Sequence, residues 1–307
     1  MYYLGLDTSN YTTSAAVVRD EEVLCDERIQ LRVEPGKRGL RQSEALFQHW
    51  KNLPAVLRGP LQRYRGELDG ICVSCCPRPV KGSYMPVFQA GVSAARILSD
   101  SLGIPCHETS HQEGHLRAAA LGADVDFGKP LLAAHLSGGT LEWIRISGGI
   151  YEVVGGTRDL SYGQLIDRTG VLLGLEFPAG KALDALACGW SAFPKKNPLG
   201  PVFREQSWIN LSGTETQIKE RANQYDREAL AAFLFSRIGE SLVAVAEHLR
   251  FVNKIDQVLI TGGVAASRYL RDYCRKQGYQ FGPPAFCGDN AAGVALLKGQ
   301  PLWQSNR

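Results

Sequence analysis

The sequence predicts an α/β protein built as two copies of one lobe, with a ligand cleft between the copies. Three observations predict it. Apolar runs of strand period alternate along the chain with runs of helical period. The opening YYLGLDTSNYTTSAAVV (2–18) has the form strand, small-residue turn, returning strand, and PLLAAHLSGGTLEWIRIS (130–147) repeats it. The length, 307 residues, is long for one core and comfortable for two. The expected lobes are 1–129 and 130–307, with the last helix the one element able to pack back on the first lobe.

The elements follow in order. SEALFQHWKNLPAVL (43–57) spaces Leu46, Trp50, Leu53 and Leu57 as one face of a helix. GELDGICVSC reads as a buried strand, and FQAGVSAARILSDSLG (88–103) as a helix ended by Gly103. Thr109-Ser110 reads as a helix N-cap before HQEGHLRAAAL. In the second lobe LIDRTGVLLGL (165–175) and FPAGKALDALA (177–187) are helical, and SAFPKKNPLGPVFREQ (191–206), with its prolines, is a loop. DREALAAFLFSRIGESLVAVAEHLR (226–250) is the longest helix. DQVLITGGVAASRYLRDYC (256–274) is strand, Gly-Gly turn and helix, and CGDNAAGVALLKG (287–299) starts a helix on an acidic turn.

Composition narrows the function classes. Hydrophobic residues at 44% and charged residues at 21% are ordinary for a globular protein. The longest apolar runs are broken by polar residues, so no membrane partner is expected. The start MYYLGLDTSN reads as a strand, with no secretory signal, and the expected compartment is the cytoplasm. A net charge of +3 permits a nucleic-acid partner without arguing for one. The basic stretch from Arg28 to Arg41, opposed only by Glu34, reads as a solvated loop and helix start ahead of an RNA contact. Of the 8 cysteines, the cluster Cys72, Cys75 and Cys76 lacks a second C-x-x-C and reads as buried reduced thiols.

Three small-residue turns follow β-runs: DTSNYTTS (7–14), LSGGT (136–140) and TGGVAAS (261–267). Glycines there let a ligand approach the backbone, and turn amides with Ser/Thr hydroxyls suit phosphate oxygens, so a nucleotide cleft is expected. None matches the Walker or dinucleotide glycine pattern. HETSHQEGH (107–115) holds two histidine pairs. A peptidase H-E-x-x-H needs a helix, but the Thr109-Ser110 cap puts His107 before the helix starts. His111 and His115, four apart beyond the cap, share one helix face, with Gly114 weakening that helix by about 1 kcal/mol. The candidate third ligand is Asp289 in FCGDNAAG; two histidines and a carboxylate leave coordination positions open.

The order of these motifs resembles the tRNA threonylcarbamoyladenosine synthesis family, the "glycoprotease"-like threonylcarbamoyltransferases of the actin, sugar-kinase and heat-shock-chaperone superfamily. The resemblance runs from DTSNYTTS to DNAAGVA through HQEGH (family H-M-E-G-H), LSGGT (V-S-G-G-H), QLIDRTGVLLGLEFPAGKALDALA, INLSGTETQIK, TGGVAASRYLR and FCGDNAAGVA. It implies two actin-like, ribonuclease-H-like lobes with a nucleotide cleft between them. It implies one divalent metal, iron or zinc, on His111, His115 and Asp289. It also implies ATP, AMP or a carbamoyl-adenylate near Ser137, Gly138, Gly139, Asp167, Gly180, Asp184 and Ser267. In the family a threonylcarbamoyl group passes from an adenylate to a tRNA adenine amine. The partners implied are an adenine nucleotide, tRNA, and protein partners or a second copy of the chain.

Departures are equally specific. The family's first turn E-T-S-C-D-E-T becomes DTSNYTT, so Tyr11 and Thr12 stand where the acidic pair would orient or deprotonate an amine. Asp7 and Thr12 are the catalytic candidates left in that turn. Thr140 replaces the histidine of S-G-G-H, Ser267 replaces an asparagine, and G-P-G becomes CPRPVKG. Three readings follow. The first is a metal-dependent carbamoyl-transfer protein with altered or lost activity. The second is a nucleotide-binding scaffold with weak ATPase activity. The third, a zinc peptidase, has only HETSH behind it.

Overall fold

A computed structural model describes residues 1–9, 11–33, 40–148, 150–191, 196–288, 291–300 and 302. The chain divides into two compact units, Met1–Gly122 with Gly288–Arg307, and Ala123–Cys287. The first unit runs β1 (Tyr2–Asp7), β2 (Thr12–Arg19), β3 (Glu22–Gln30), α1 (Gln42–Tyr64), β4 (Leu68–Cys76), α2 (Phe88–Leu102), β5 (Cys106–Ser110) and α3 (His111–Ala119). Its sheet has the order β3-β2-β1-β4-β5; β1 to β3 form an antiparallel meander, and β4 and β5 run parallel to β1.

The second unit runs β6 (Leu131–Leu136), β7 (Leu141–Ser147), β8 (Ile150–Thr157), α4 (Tyr162–Leu172), α5 (Gly180–Gly189), β9 (Phe203–Glu205), β10 (Trp208–Asn210), α6 (Ser212–Arg221), α7 (Arg227–Asn253), β11 (Gln257–Thr261), α8 (Arg268–Cys274) and β12 (Gln280–Phe281). Its sheet order is β12-β11-β6-β7-β8-β10-β9. Read from the other edge, β8-β7-β6-β11-β12 repeats β3-β2-β1-β4-β5 with the same strand senses. The duplication expected from the two hairpins is present in the topology. The short α9 (Ala292–Leu296) then belongs to the first unit.

Strand β1 is buried along nearly its whole length because helices cover both faces. Leu4 and Leu6 meet Leu53, Val56 and Leu57 of α1 and Ala90 and Ala95 of α2. Tyr3, on the other parity, meets Val294, Ala295 and Leu296 of α9. Gly5 lies on the α9 face too, and a Cβ there would come 2.2 Å from the Ala291 carbonyl oxygen. Helix α9 also lies on α3: a Cβ on Gly293 would stand 1.9 Å from the Gly114 oxygen, and one on Gly114 2.8 Å from a Val294 methyl. Gly114 therefore buys close approach, which its low helix propensity alone would not reveal.

The expectations for α1 and for 191–206 need correction, and three further elements, β3, β8 and α6, form where none was expected. Helix α1 continues through Pro54 and Pro60 to Tyr64 because Leu53, Val56, Leu57 and Pro60 keep burying one face. Strands β3 and β8 form where charged residues hid the alternation; both expose part of their length. The loop expected over 191–206 contains β9, paired antiparallel with β10. Helix α6 forms although it buries only Thr214 and Ile218, because the Asp159 carboxylate accepts from the Leu211 and Ser212 amides at its start, at 2.8 and 3.0 Å. Helix α7 is long and apolar enough to cross a membrane, but 72% of that window is buried inside the second unit.

Candidate functional site

The first unit gathers a buried cluster around Asp7. Strand parity sends Tyr3, Gly5 and Asp7 to the face covered by α9 and α3, while Thr8 turns to α2, where its hydroxyl donates to Val87 O at 3.0 Å. Ser110 caps α3: its Oγ accepts the Glu113 amide, and the Glu113 carboxylate accepts the Ser110 amide at 2.9 Å and the Thr109 hydroxyl at 2.8 Å. This capping box fixes His111 as the first helical residue and His115 one turn on. Their Nε2 atoms are 3.0 Å apart, with the rings at 81°.

Asp7 completes the arrangement. It is fully buried, and its Oδ2 lies 3.1 Å from His111 Nδ1 and accepts the Ser9 hydroxyl at 2.7 Å. Its Oδ1 accepts the Ser74 hydroxyl from β4. A carboxylate that accepts the hydrogen bond of Nδ1–H leaves the Nε2 lone pair of His111 directed at His115. The histidine pair fits a divalent ion. Two imidazole nitrogens, each about 2.1 Å from one ion, stand about 3.0 Å apart at the right angles of octahedral coordination and about 3.4 Å apart at tetrahedral ones, so the pair sits at the short end of that range. Among the described residues no group of three or more His, Cys, Asp and Glu is arranged to hold a metal. Asp289, the expected third ligand, lies outside the described residues, between Gly288 and the segment that leads into α9.

His107 sits within β5, three residues before its end at Ser110, so H-E-x-x-H straddles a strand and a helix. Its ring packs on Gly299, where a Cβ would come within 2.6 Å. Thr12 opens β2 opposite Gln30 and is half-buried; Tyr11 is exposed. Cys72 is buried, and burial pushes its thiol up to about 12. Cys75 and Cys76 are half-buried, so the cysteine cluster is not wholly internal as expected.

The other expected residues lie in the second unit and form a connected series. Ser137, Gly138 and Gly139 make the turn from β6 to β7, closed by Ser137 N donating to Thr140 O at 2.9 Å. A Cβ on Gly138, Gly139 or Gly263 would meet nothing within 4 Å, so packing does not require glycine there. The turn after β11 adjoins: Gly262, at φ +91°, would put a Cβ 2.3 Å from the Leu136 oxygen. Both turns are at carboxyl ends of parallel neighbours, where ligands bind in open α/β sheets. Ser161, the N-cap of α4, donates to Gly138 O at 2.9 Å.

The carboxylates in this series are occupied by backbone. Asp167 accepts the Ala179 amide at 2.8 Å, before Gly180 opens α5. Burial raises its pKa, against bonds from the Ala179 and Gly180 amides. Asp184 accepts the Ser267 hydroxyl at 2.5 Å and the Arg268 and Tyr269 amides at 2.9 and 3.2 Å, holding the start of α8. Both aspartates brace turns that carry candidate ligand groups. Sequence reasoning missed the link from Asp7 to His111 and Ser74; the parity of β1 was the signal that could have found it.

The fold and this arrangement define a two-lobed actin-like protein. A full-length HypF solved with phosphate and nucleotide superposes with a TM-score of 0.61 at 13% identity, over 99% of this chain and 56% of that one. The activator of 2-hydroxyisocaproyl-CoA dehydratase from Clostridium difficile, with ADPNP bound, gives 0.55 at 12%, over 96% and 93%. A ROK family glucokinase from Streptomyces griseus gives 0.54 at 14%, over 97% and 99%. Such identities establish the fold alone.

Sequence goes further. The TsaD model, tRNA N6-adenosine threonylcarbamoyltransferase, matches residues 29–296, and the chain belongs to this family. Curated relatives of that name include those of Geobacillus thermodenitrificans, 29% identical over 100% of this chain and 93% of the relative. Another, from Trichlorobacter lovleyi, is 31% identical over 96% and 90%.

Proposed function

We propose that this chain binds one divalent metal through His111, His115 and Asp289 and an adenine nucleotide at the turns of its second unit. On this reading it is a carbamoyl-transfer-type protein whose acceptor step is altered. The observation that carries it is the buried histidine pair, 3.0 Å apart at Nε2 and oriented by Asp7. Support for Asp289 comes from its place in the sequence, three residues before α9, the helix whose Gly293 docks closely on Gly114 of α3. The uncrowded glycines 138, 139 and 263 support the nucleotide. When bound, the metal supplies Lewis-acid polarisation of a carbonyl.

The altered step follows from Tyr11 and Thr12. A base for the attacking amine needs a carboxylate or imidazole within hydrogen-bond reach. Tyr11 and Thr12 offer hydroxyls only. Asp7 has both carboxylate oxygens engaged by Ser9, Ser74 and His111, which suits it to orient a ligand and not to take a proton from solution-borne substrate. The same substitution favours a second reading, a nucleotide-binding scaffold with weak ATPase activity. The reading expects action in the cytoplasm, with tRNA and either protein partners or a second copy of the chain.

One preparation tests both. Purified protein should hold about one metal per chain, lost in His111→Ala, His115→Ala and Asp289→Ala but kept in His107→Ala. Calorimetry should detect ATP or AMP binding. Supplied with threonylcarbamoyl-adenylate and tRNA, the isolated chain should leave the tRNA unmodified. Loss of metal only in His107→Ala overturns the site; robust tRNA modification overturns the altered step; ATP hydrolysis without any carbamoyl transfer selects the scaffold.

A further inference from the structure

The segment after β4 is where the chain departs from the family's G-P-G, reading CCPRPVKG from Cys75. The strand ends in a β-bulge: Ser74 pairs with Thr109 and Cys76 with Ser110, so Cys75 is the extra residue. A regular strand sends neighbouring side chains to opposite faces, and a bulge re-aims them. Here the two adjacent sulfurs come within 3.8 Å. Cys75 donates to the Cys76 sulfur, and Cys76 donates to Arg78 O at 3.2 Å, which fixes the second rotamer. Neither is in a disulfide, and both are half-buried, so a small reagent reaches them.

We propose that Cys75 and Cys76 form a dithiol site that holds one thiophilic metal or metalloid ion between both sulfurs. An atom bonded to two thiolates at about 2.3 Å with tetrahedral angles sets the sulfurs about 3.8 Å apart. The bulge supplies that spacing without backbone movement. A disulfide needs about 2.05 Å, so the pair is closer to a clamp than to a cystine. The site adjoins the histidine pair without sharing a side chain with it: Cys76 registers with Ser110, the residue before His111, and Ser74 holds Asp7.

Phenylarsine oxide is the probe. Two As–S bonds form, and the oxide oxygen leaves as water with the two thiol protons. The reduced full-length chain should bind one arsenical, reversed by 2,3-dimercaptopropanol and not by a monothiol. Cys75→Ser and Cys76→Ser should each weaken binding on the order of 100-fold, since one thiol loses the intramolecular second bond. Cys72→Ser, buried elsewhere, and Cys106→Ser, on β5 beside the Cys75 cluster, should leave it unchanged. A footprint on the unmutated protein guards against misfolded variants: the arsenical should protect Cys75 and Cys76 from N-ethylmaleimide. Wild-type binding by Cys76→Ser, loss in Cys106→Ser, or protection of any other pair overturns the proposal.

Discussion

Replacing Gly293 with alanine should lift α9 from α3. The new Cβ would stand 1.9 Å from the Gly114 oxygen and 2.8 Å from Ala118 Cβ. Non-bonded carbon contacts settle near 3.5–4.0 Å, so the two backbones must part by more than about 1 Å. Helix α9 fully buries Val294 and Ala295 and leaves Leu296 2% exposed. Burying a Val or Leu side chain contributes about 1.5–3 kcal/mol each, so undocking α9 forfeits about 3 kcal/mol or more. Better helix propensity returns at most about 1 kcal/mol. The net expectation is a loss of about 2–4 kcal/mol in the first unit. Gly114→Ala should cost less, because its tightest contact is a Val294 methyl at 2.8 Å and the nearest backbone atom, Val294 N, stands at 3.4 Å. A two-unit chain need not unfold in one step, so hydrogen exchange by mass spectrometry on peptides from β1 and α9 is the assay. Wild-type protection in those peptides of Gly293→Ala, or a larger loss in Gly114→Ala, would refute the packing argument.

Three further outcomes are expected. Asp7→Asn should lower metal affinity about 10- to 100-fold, near 1.4–2.7 kcal/mol, with an unchanged circular dichroism spectrum; unchanged affinity in equilibrium dialysis would remove its orienting role. Burial pulls the Asp159 carboxyl upward, but the Leu211, Ser212 and Leu160 amides outweigh it and hold it well below the usual range. A folded value below the unfolded value of about 3.9 gives stability that is present above it and lost as pH falls toward the folded value. Asp159→Asn should therefore flatten the acid limb of the second unit's urea midpoint; a limb of undiminished slope would argue against it. Finally, iodoacetamide at mildly alkaline pH should label exposed Cys188 first, and Cys72 and Cys274 last, since burial pushes both of their thiols up to about 12. Early labelling of Cys72 in peptide mass spectra would contradict its burial.

What could be read in advance was local. The hairpins at 2–18 and 130–147 declared the duplication because apolar runs and small-residue turns are short-range signals. Ser110 was legible as a cap for the same reason. Strand β3 was not, since EVLCDERIQ lies at a sheet edge and mixes charge into its alternation. Helix α6 was not, because the donors at its start answer to Asp159, 52 residues before Leu211. Gly114 looked like a weakness in α3 until its neighbour Gly293, far along the chain, explained it. At the candidate site the histidine spacing was visible, whereas Asp7, a catalytic candidate in its turn, showed its link to His111 only once β1 was laid beside α3.

The discontinuity of the first unit bears on synthesis. Residues 1–122 leave the ribosome early, but α9, which covers Gly5 and Gly114, follows only after all of residues 123–287. At about 5–20 residues per second, the α9 face of β1 waits on the order of ten seconds or more for its cover. During that interval Tyr3, Val18 and Cys72 lack their partners Val294, Ala295 and Leu296. The nascent first unit therefore carries an apolar face that a chaperone would recognise, and the second unit has time to fold before the first can be sealed.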